Sequence, residues 1–249
     1  MNLQSRQVLI TGGGSGIGHY LVEKINSQVD QVAVLEINPV ACEQLNSTFP
    51  NVKAYVCDVS NPMSVQTAIE QVYENGINPD VLINNAGLIY SAPLVNVLDK
   101  KNRLHSLELW HKTLNVNLHG VFYVTGQVVD RMLASRTKGV VINISSIAAR
   151  GNAGQSAYSA AKAGVNALTK TWAKELGGFG LRFAAIAPGF LDTPSTHQAL
   201  NEGLVNKIKQ QIPLRRLGEP DHIYQAVKFV IENDYCNGTI LDIDGGLVI

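Results

Sequence analysis

Seven short apolar runs, separated by stretches long enough for helices, constrain the fold of this chain more than any other feature. In chain order they cover residues 7–10, 31–35, 52–56, 81–83, 140–144, 182–186 and 239–243. Runs that are apolar on both sides are typical of strands buried between two layers of helices. The alternation therefore predicts an α/β fold, a doubly wound Rossmann-type parallel sheet of seven strands with helices on both faces. Because the 249 residues contain no linker or internal repeat, we expect a single domain over residues 1–249.

The segments between the runs divide into predicted helices and two long connections. Helix-length patterns with breakers at their ends cover residues 18–27, 63–74, 109–135 and 157–176. The long connections are residues 89–108 and 190–216, and each follows a predicted strand. Because parallel sheets bind ligands at the carboxyl ends of their strands, we expect these connections to shape a substrate pocket.

The charge balance argues against a polyanionic partner. The chain has 20 Lys and Arg residues, 20 Asp and Glu residues and 45% hydrophobic residues. It can build a core without a positive field, so we expect no nucleic-acid binding. No apolar run approaches the ~18 residues of a membrane-spanning helix, and no signal segment is evident at the N-terminus. We therefore expect a cytoplasmic protein that does not use a membrane.

Cysteines and histidines give no sign of a metal site. Cys42, Cys57 and Cys236 are far apart and lack redox-type or metal-type pairing, as in a reduced cytosolic protein. The six histidines form no cluster with ligand spacing. We predict that the protein binds no metal.

A glycine-rich loop, Thr11–Gly18 with the sequence TGGGSGIG, follows the first predicted strand. Glycines permit a tight turn and let backbone N–H groups approach a pyrophosphate at the start of the next helix. The spacing differs from the G-x-G-x-x-G template and lacks the Lys-Ser/Thr ending of nucleotide hydrolases, and a plain turn is the alternative. The residues predicted to contact a cofactor here are Gly12, Ser15, Gly16, Ile17 and Gly18.

Glu36 indicates which dinucleotide the loop would bind. It closes the second predicted strand 18 residues after Gly18, near the ~20-residue offset at which an acid accepts hydrogen bonds from the adenosine ribose. A 2′-phosphate there would meet a like charge, and no Arg or Lys in the loop would neutralise it. We therefore predict NAD(H) rather than NADP(H), with a solvated glutamate at the strand end as the alternative.

Tyr158 and Lys162 are the candidate catalytic pair. They lie four residues apart in a helix-favouring stretch, which places both side chains on one helix face. A tyrosine has an ordinary pKa of about 10, so a tyrosine acting as a base near neutral pH needs a nearby positive charge. Such pairs are also common on helix surfaces, where they have only structural roles.

The pair does not occur alone. The chain resembles the short-chain dehydrogenase/reductase family over essentially its whole length, with these motifs in family order: Thr11–Gly18, Asn84–Gly87, Asn117, Ser145, Tyr158 with Lys162, and Pro188-Gly189. The resemblance implies hydride transfer between a nicotinamide cofactor and a secondary alcohol or ketone. In that reaction Tyr158 takes or gives the hydroxyl proton, and Lys162 lowers the pKa of Tyr158 and binds the nicotinamide ribose.

The resemblance also implies roles for Ser145 and Asn117. Ser145 lies thirteen residues before Tyr158, the family's spacing for the serine that hydrogen-bonds the substrate oxygen. We interpret its neighbour Ser146 as a residue of the turn at the strand end. Asn117 matches the asparagine that helps to hold a water in a proton relay reaching the lysine, whereas Asn115 matches by residue type alone.

Further cofactor contacts follow from the resemblance. Besides the loop, Glu36, Tyr158 and Lys162, they are Asp58 and Val59 at the adenine, Asn85, Ala86 and Gly87 beside the cofactor, and Pro188, Gly189 and Thr193 at the carboxamide.

Two features resemble the short-chain 3-hydroxyacyl-CoA dehydrogenases within the family: the long insertion after Asn84–Gly87 and the motifs of the C-terminal half. They imply that the substrate is a 3-hydroxyacyl-CoA or 3-oxoacyl-CoA, with acetoacetyl-CoA first. Lys100, Lys101 and Arg103 could meet coenzyme A phosphates, with a solvated loop as the alternative. Acyl-carrier-protein thioesters, simple ketones, steroids and sugars are the rival substrates.

A hypothesis from another class is a non-catalytic NAD-binding regulator. The presence of every catalytic group argues against it.

Family members commonly form tetramers. The apolar end Leu241–Ile249 suits burial at an interface, so we expect a homotetramer.

Overall fold

The seven apolar runs form a single parallel sheet. The computed structural model describes residues 2–249, without the side chains of residues 195, 198 and 199. Its strands are β1 (Gln7–Thr11), β2 (Gln31–Glu36), β3 (Val52–Val56), β4 (Val81–Asn84), β5 (Gly139–Ile144), β6 (Leu181–Pro188) and β7 (Thr239–Ile243). Their order in the sheet is β3-β2-β1-β4-β5-β6-β7, and every pairing is parallel. The predicted doubly wound sheet is confirmed, and the strand order reverses direction between β1 and β4.

Helices cover both faces of this sheet. They are α1 (Gly16–Asn26), α2 (Pro39–Thr48), α3 (Pro62–Glu74), α4 (Leu107–Leu114), α5 (Gly120–Ala134), α6 (Ser156–Leu176), α7 (Pro194–Ala199), α8 (Glu202–Gln211) and α9 (Pro220–Glu232). Short 3-10 turns occupy Ile147–Arg150 and Gly177–Phe179. One buried cluster joins the sheet to α1, α2 and α9, and a second joins it to α3, α5 and α6. Strands β1, β4 and β5 are almost wholly buried, as their continuous apolar sequences predict.

The predicted helix over residues 109–135 is interrupted by a wider turn. Helices α4 and α5 are joined by a π-helical segment, Asn115–His119, with helical backbone angles at both junctions. Single π-turns inside α-helices are rare and often occur at functional sites. This one contains Asn117.

The two long connections have different structures. Residues 89–106, here called the arm, contain isolated bridges and turns but no helix or strand, and one bridge pairs Val95 antiparallel with Leu104. Residues 190–216 contain α7 and α8, and the sequence analysis assigned no helix to them. Helix α8 packs through Val205 and Ile208 into a small apolar cluster with Ile147, which follows β5.

Within the described part of the chain, no helix is both long enough and apolar enough to cross a membrane.

Candidate active site

The loops that follow β1 and β4 are interlocked at the point where the strand order reverses. The Asn85 side-chain amide donates to the carbonyls of Thr11 at 3.1 Å and Gly12 at 2.9 Å. A Cβ atom on Gly18 would lie 2.0 Å from the Gly12 carbonyl oxygen, and Gly12 itself has a φ of +68°. Both positions therefore require glycine for a backbone contact that a side chain would prevent.

The N-terminus of α1 is open at this junction. Ser15 precedes the helix without capping it through its side chain. A Cβ atom on Gly16 would have no atom within 4 Å, and Gly16 is exposed. The first N–H groups of a helix lack partners within the helix and attract anions. The junction therefore fits the pyrophosphate of a dinucleotide.

Glu36 ends β2 beside this loop with its carboxylate fixed. One carboxylate oxygen accepts a hydrogen bond from the Gly14 N–H at 2.9 Å, and the other accepts one from the Asn38 N–H at 3.0 Å. Only 9% of the residue is exposed. A Cβ atom on Gly14 would lie 2.8 Å from this carboxylate, so glycine is required for the contact. A carboxylate held this way keeps acceptor capacity for ribose hydroxyls.

The other predicted cofactor residues line the carboxyl ends of the strands. Asp58, after β3, accepts hydrogen bonds from the N–H and hydroxyl of Ser60 at 2.9 and 2.7 Å. Val59 is buried, and a Cβ atom on Gly120 would approach it to 3.0 Å. Both residues follow β3, which pairs with β2, so they lie near Glu36 at the end of the neighbouring strand.

At the end of β6, Pro188 and Gly189 pack against the end of β7. The Gly189 N–H donates to the Ile243 carbonyl at 2.9 Å, and a Cβ atom on Gly189 would lie 2.8 Å from the Asp244 Cα. Thr193 is buried at the N-cap of α7, where its hydroxyl accepts from the Thr196 N–H at 3.3 Å. Thr193 therefore fixes the start of the α7 segment beside the site.

Tyr158 and Lys162 are buried together on one face of α6. Their exposed fractions are 8% and 3%. The Lys162 ammonium lies 5.7 Å from the centre of the Tyr158 ring and donates to the Ile144 carbonyl at 2.7 Å. That carbonyl ends β5, so the lysine is fixed to the strand and stands beside the phenol. A charged side chain is rarely this buried without a functional reason.

Burial changes the proton affinity of both groups. Desolvation raises the pKa of Tyr158, and a hydrogen bond with the Ser146 side chain opposes this rise. Desolvation lowers the pKa of Lys162 to about 8, because removal from water disfavours the ammonium. The pair therefore combines a protonated phenol at neutral pH with a cation that is close to its titration point.

The two serines after β5 point in different directions. The Ser145 hydroxyl is buried and donates to the Lys162 backbone carbonyl at 3.4 Å. Ser146 is only half-buried; its hydroxyl accepts from the Ala148 N–H at 3.1 Å, and its side chain lies close enough to Tyr158 to lower the pKa of the phenol. Successive residues at the end of a strand face opposite sides. The structure therefore directs the predicted Ser145 hydroxyl at α6, and the Ser146 side chain lies closer to the electrostatic environment of Tyr158.

Asn117 lies in the π-turn and faces inward. Its side-chain amide donates to the carbonyls of Leu88 at 2.9 Å and Thr113 at 3.0 Å. Its side-chain oxygen is buried without a protein partner, and a Cβ atom on Gly87 would lie 2.7 Å from it. The rival Asn115 is bonded instead to the His119 ring at 2.9 Å, toward the outside.

Sequence reasoning missed a buried polar chain behind the site. Asn84 donates to the hydroxyl of Thr125 at 2.9 Å and to Asn143 at 2.8 Å, and Asn143 donates to Thr169 at 2.9 Å. This chain joins β4 and β5 to α5 and α6. The available signal was Asn143 itself, a polar residue inside an otherwise apolar strand.

No metal centre accompanies these groups: the described residues contain no group of three or more His, Cys, Asp or Glu side chains able to hold an ion.

Comparison with known proteins identifies the family. A family model described as enoyl-(acyl carrier protein) reductase matches residues 12–248. The chain belongs to the short-chain dehydrogenase/reductase family. It is therefore an oxidoreductase of the class that uses a nicotinamide cofactor.

Two relatives align over nearly their full length. The chain is 38% identical to the 3-oxoacyl-[acyl-carrier-protein] reductase FabG of Thermotoga maritima, covering 100% of both chains. It is 34% identical to the human (3R)-3-hydroxyacyl-CoA dehydrogenase, covering 98% of this chain and 96% of that protein. Both names refer to oxygenated acyl thioesters.

Two solved structures have the same architecture. The crystal structure of gox2181 is 27% identical, with a TM-score of 0.89 over 98% of this chain and 96% of that one. A putative gluconate dehydrogenase from Agrobacterium tumefaciens is 27% identical, with a TM-score of 0.88 over the same shares.

Proposed function

We propose that this protein transfers a hydride between NAD(H) and a 3-hydroxyacyl or 3-oxoacyl thioester, with the coenzyme A thioester as the leading substrate. The observation that carries the proposal is the burial of Tyr158 and Lys162 together, with the Lys162 ammonium 5.7 Å from the centre of the Tyr158 ring and fixed to the Ile144 carbonyl. This group lies at the carboxyl edge of the sheet, where the glycine loop and Glu36 form a dinucleotide cradle.

Tyr158 and Lys162 have different roles in proton transfer. NAD(H), when bound, gives or takes the hydride. In the reductive direction Tyr158 donates its proton to the substrate oxygen, and in the oxidative direction it accepts that proton. The Lys162 cation stabilises the phenolate that forms, because opposite charges attract strongly in a buried site.

We assign the substrate-oxygen contact to Ser146 in place of Ser145. The Ser146 side chain lies near the Tyr158 phenol, so its hydroxyl can reach a substrate oxygen that binds to Tyr158. The Ser145 hydroxyl is directed at the Lys162 backbone carbonyl instead. Asn117 supplies a buried acceptor oxygen beside Gly87, suited to hold the water of a proton relay.

Glu36 supports a preference for NAD(H) over NADP(H). Its nearly buried carboxylate lies where the adenosine ribose would bind, and a 2′-phosphate would add a second anion beside it. The glycine loop contains no Arg or Lys to compensate.

The acyl carrier has two candidates. The resemblance to short-chain 3-hydroxyacyl-CoA dehydrogenases favours coenzyme A, and the human relative bears that name. The Thermotoga maritima relative, at 38% identity against 34%, is named for an acyl-carrier-protein substrate, so the comparisons alone favour that carrier slightly and it stays the alternative. Both carriers present the same thioester to Tyr158.

We further propose a cytoplasmic homotetramer. An open groove of about 360 Å³ between the π-turn, α5 and α6 is lined by Leu118, Phe122 and Leu168. Exposed apolar helix faces of this kind suit burial against a second copy. A monomeric mass in light scattering would contradict this assembly.

The experiment that tests the function is oxidation of NADH, and separately of NADPH, with acetoacetyl-CoA. We expect turnover that prefers NADH, and a fall of about 10³-fold in Tyr158→Phe, because the general acid is lost. NADH binding should remain within about twofold, since the ring is retained. A control is Tyr235→Phe, which removes an exposed hydroxyl far from the site.

Full activity of Tyr158→Phe would contradict the assignment. NADH binding with no turnover on thioesters, ketones or secondary alcohols would favour a non-catalytic NAD-binding regulator.

A further inference from the structure

The two parts of the connection between β5 and α6, residues 145–155, are held in different ways. In the first part, Ile147 packs into the apolar cluster that contains α8, and Ala148 is buried. The second part contains Gly151 and Gly154, with φ angles of +99° and +80°. A Cβ atom on either glycine would have no atom within 4 Å. Because glycine adopts many backbone angles and these two pack against nothing, packing alone does not fix the second part.

Arg150 lies where these two parts meet, and its side chain reaches across the end of the sheet. The guanidinium forms an ion pair with Asp242 of β7, and its Nη1 atom lies 3.9 Å from the Asp244 Oδ2 atom. Strand β6 lies between β5 and β7 in the sheet, so the side chain spans the carboxyl end of β6. One cation therefore joins the connection after β5 to a strand two positions away.

The end of β7 also holds the segment that follows β6. The Gly189 N–H donates to the Ile243 carbonyl at 2.9 Å, and a Cβ atom on Gly189 would lie 2.8 Å from the Asp244 Cα. The Asp244 side chain is only 12% exposed, and its carboxylate accepts a hydrogen bond from the Gly246 N–H at 2.8 Å. The same end of β7 therefore contacts both the guanidinium and the segment predicted to hold the nicotinamide carboxamide.

We propose that Arg150 is a positioning residue that holds the turn after Ser146 at a fixed distance from the segment that contacts the cofactor. The inference rests on the proposed function and deepens it, because hydride transfer requires the substrate oxygen and the nicotinamide to be aligned. The Arg150 and Asp242 side chains are 45% and 36% exposed, and exposed ion pairs add little to global stability. The effect of this pair therefore falls on the order of the connection and on catalysis.

The first test is hydrogen exchange of residues 147–155 in the free protein, measured by mass spectrometry. In Arg150→Met, we expect these amides to exchange about threefold faster, because the anchor is lost while the core around Ile147 remains. The matched control is Arg6→Met, which breaks the ion pair of Arg6 with Asp80, 2.7 Å long, at the amino end of the sheet. In this control, exchange of residues 147–155 should equal that of the wild type.

The second test is a double-mutant cycle on the reduction of acetoacetyl-CoA by NADH. We expect Arg150→Met to lower kcat by about fivefold and to leave the KM for acetoacetyl-CoA within about twofold, since the anchor aligns reacting groups. Asp242→Asn should also lower kcat. The variant that combines both substitutions should lose no more than Arg150→Met alone, because both remove the same anchor. Arg6→Met should keep kcat within about twofold.

Four results would overturn the proposal. They are wild-type exchange in Arg150→Met, equal losses of kcat in Arg150→Met and Arg6→Met, additive losses in the cycle, and a raised KM with unchanged kcat and exchange. Equal losses would show a general effect on stability, and the last result would make Arg150 a direct contact of the anionic substrate. Absence of turnover by the wild type would instead refute the proposed function, while the exchange comparison would still show whether Arg150 anchors the connection.

Discussion

Glu36 is nearly buried and accepts two backbone hydrogen bonds, whereas Leu98 at the tip of the arm is 90% exposed. The cofactor side of the site is built from backbone contacts that exclude side chains, as at Gly12, Gly14 and Gly18. In the arm, by contrast, Leu94, Val97, Leu98 and Leu104 each have more than 70% of their surface exposed. The difference teaches that the cofactor side is formed before any ligand binds, whereas the arm gains most of its apolar contacts only from a ligand or another molecule.

On the cofactor side of the site, the largest expected effect on kcat comes from substituting the two serines after β5. Ser146→Ala should lower kcat by about 10²-fold, because it removes a donor to the developing oxyanion. Ser145→Ala should leave kcat within about threefold, since it removes only a long hydrogen bond to a carbonyl. Steady-state kinetics on both variants compare the two hydroxyls directly. The reverse pattern would restore Ser145 as the substrate contact.

The next effect concerns the energetic consequence of burying Lys162. Its pKa of about 8 in the folded protein lies below the ordinary value of 10.5, so the folded state binds fewer protons between these pH values. The free energy of unfolding should therefore rise with pH in this window, by up to about 3 kcal/mol relative to Lys162→Met. Below pH 8 the folded protein carries the full free-energy penalty of burying the Lys162 charge. Above pH 10.5 the lysine is neutral in both the folded and the unfolded state, and this penalty is absent.

Urea unfolding of wild type and Lys162→Met at several pH values from 7 to 10 measures this difference. The exposed Lys170→Met on the same helix is the matched control and should show no such slope. If the difference in the free energy of unfolding between wild type and Lys162→Met did not change with pH, the lysine would keep its ordinary pKa. That result would weaken the contrast between the buried centre and the exposed arm.

The smallest effect concerns the cofactor. Glu36→Gln should raise kcat/KM for NADPH by about tenfold, because it removes the repulsion between the carboxylate and a 2′-phosphate. The exposed Glu43→Gln on α2 should leave the ratio of NADPH to NADH unchanged. If wild type already prefers NADPH, Glu36 does not face the ribose, and the cofactor preference proposed here is wrong.

The sequence predicted the fold well because its signals are local and repeated. Each apolar run became a strand, and the glycine loop after β1 and the residues after β4 meet because parallel strands end at one edge. The start of α1 at Gly16, before the predicted Gly18, differs by less than one turn. The single-domain organisation over residues 1–249 stays a prediction.

The site was less predictable where side-chain direction decides. The family's spacing before Tyr158 selects Ser145, but after β5 that hydroxyl is directed at the Lys162 carbonyl of α6, whereas the Ser146 side chain lowers the pKa of Tyr158. The π-turn at Asn117 was not predicted, because Asn115–His119 contains no glycine or proline to mark an interruption of the helix. The pairing within the arm joins Val95 to Leu104 and leaves no periodic pattern in the sequence.

The central claim is that the protein catalyses transfer of a hydride from NADH to C3 of a 3-oxoacyl thioester, with Tyr158 donating a proton to the oxygen on that carbon. The most direct test incubates the wild type with NADH deuterated at C4 and with acetoacetyl-CoA, and locates deuterium in the product by mass spectrometry. We predict one deuterium at C3 of 3-hydroxybutyryl-CoA, formed by wild type and nearly absent with Tyr158→Phe. NADH consumption without deuterium at C3, or equal product from both proteins, would contradict the account.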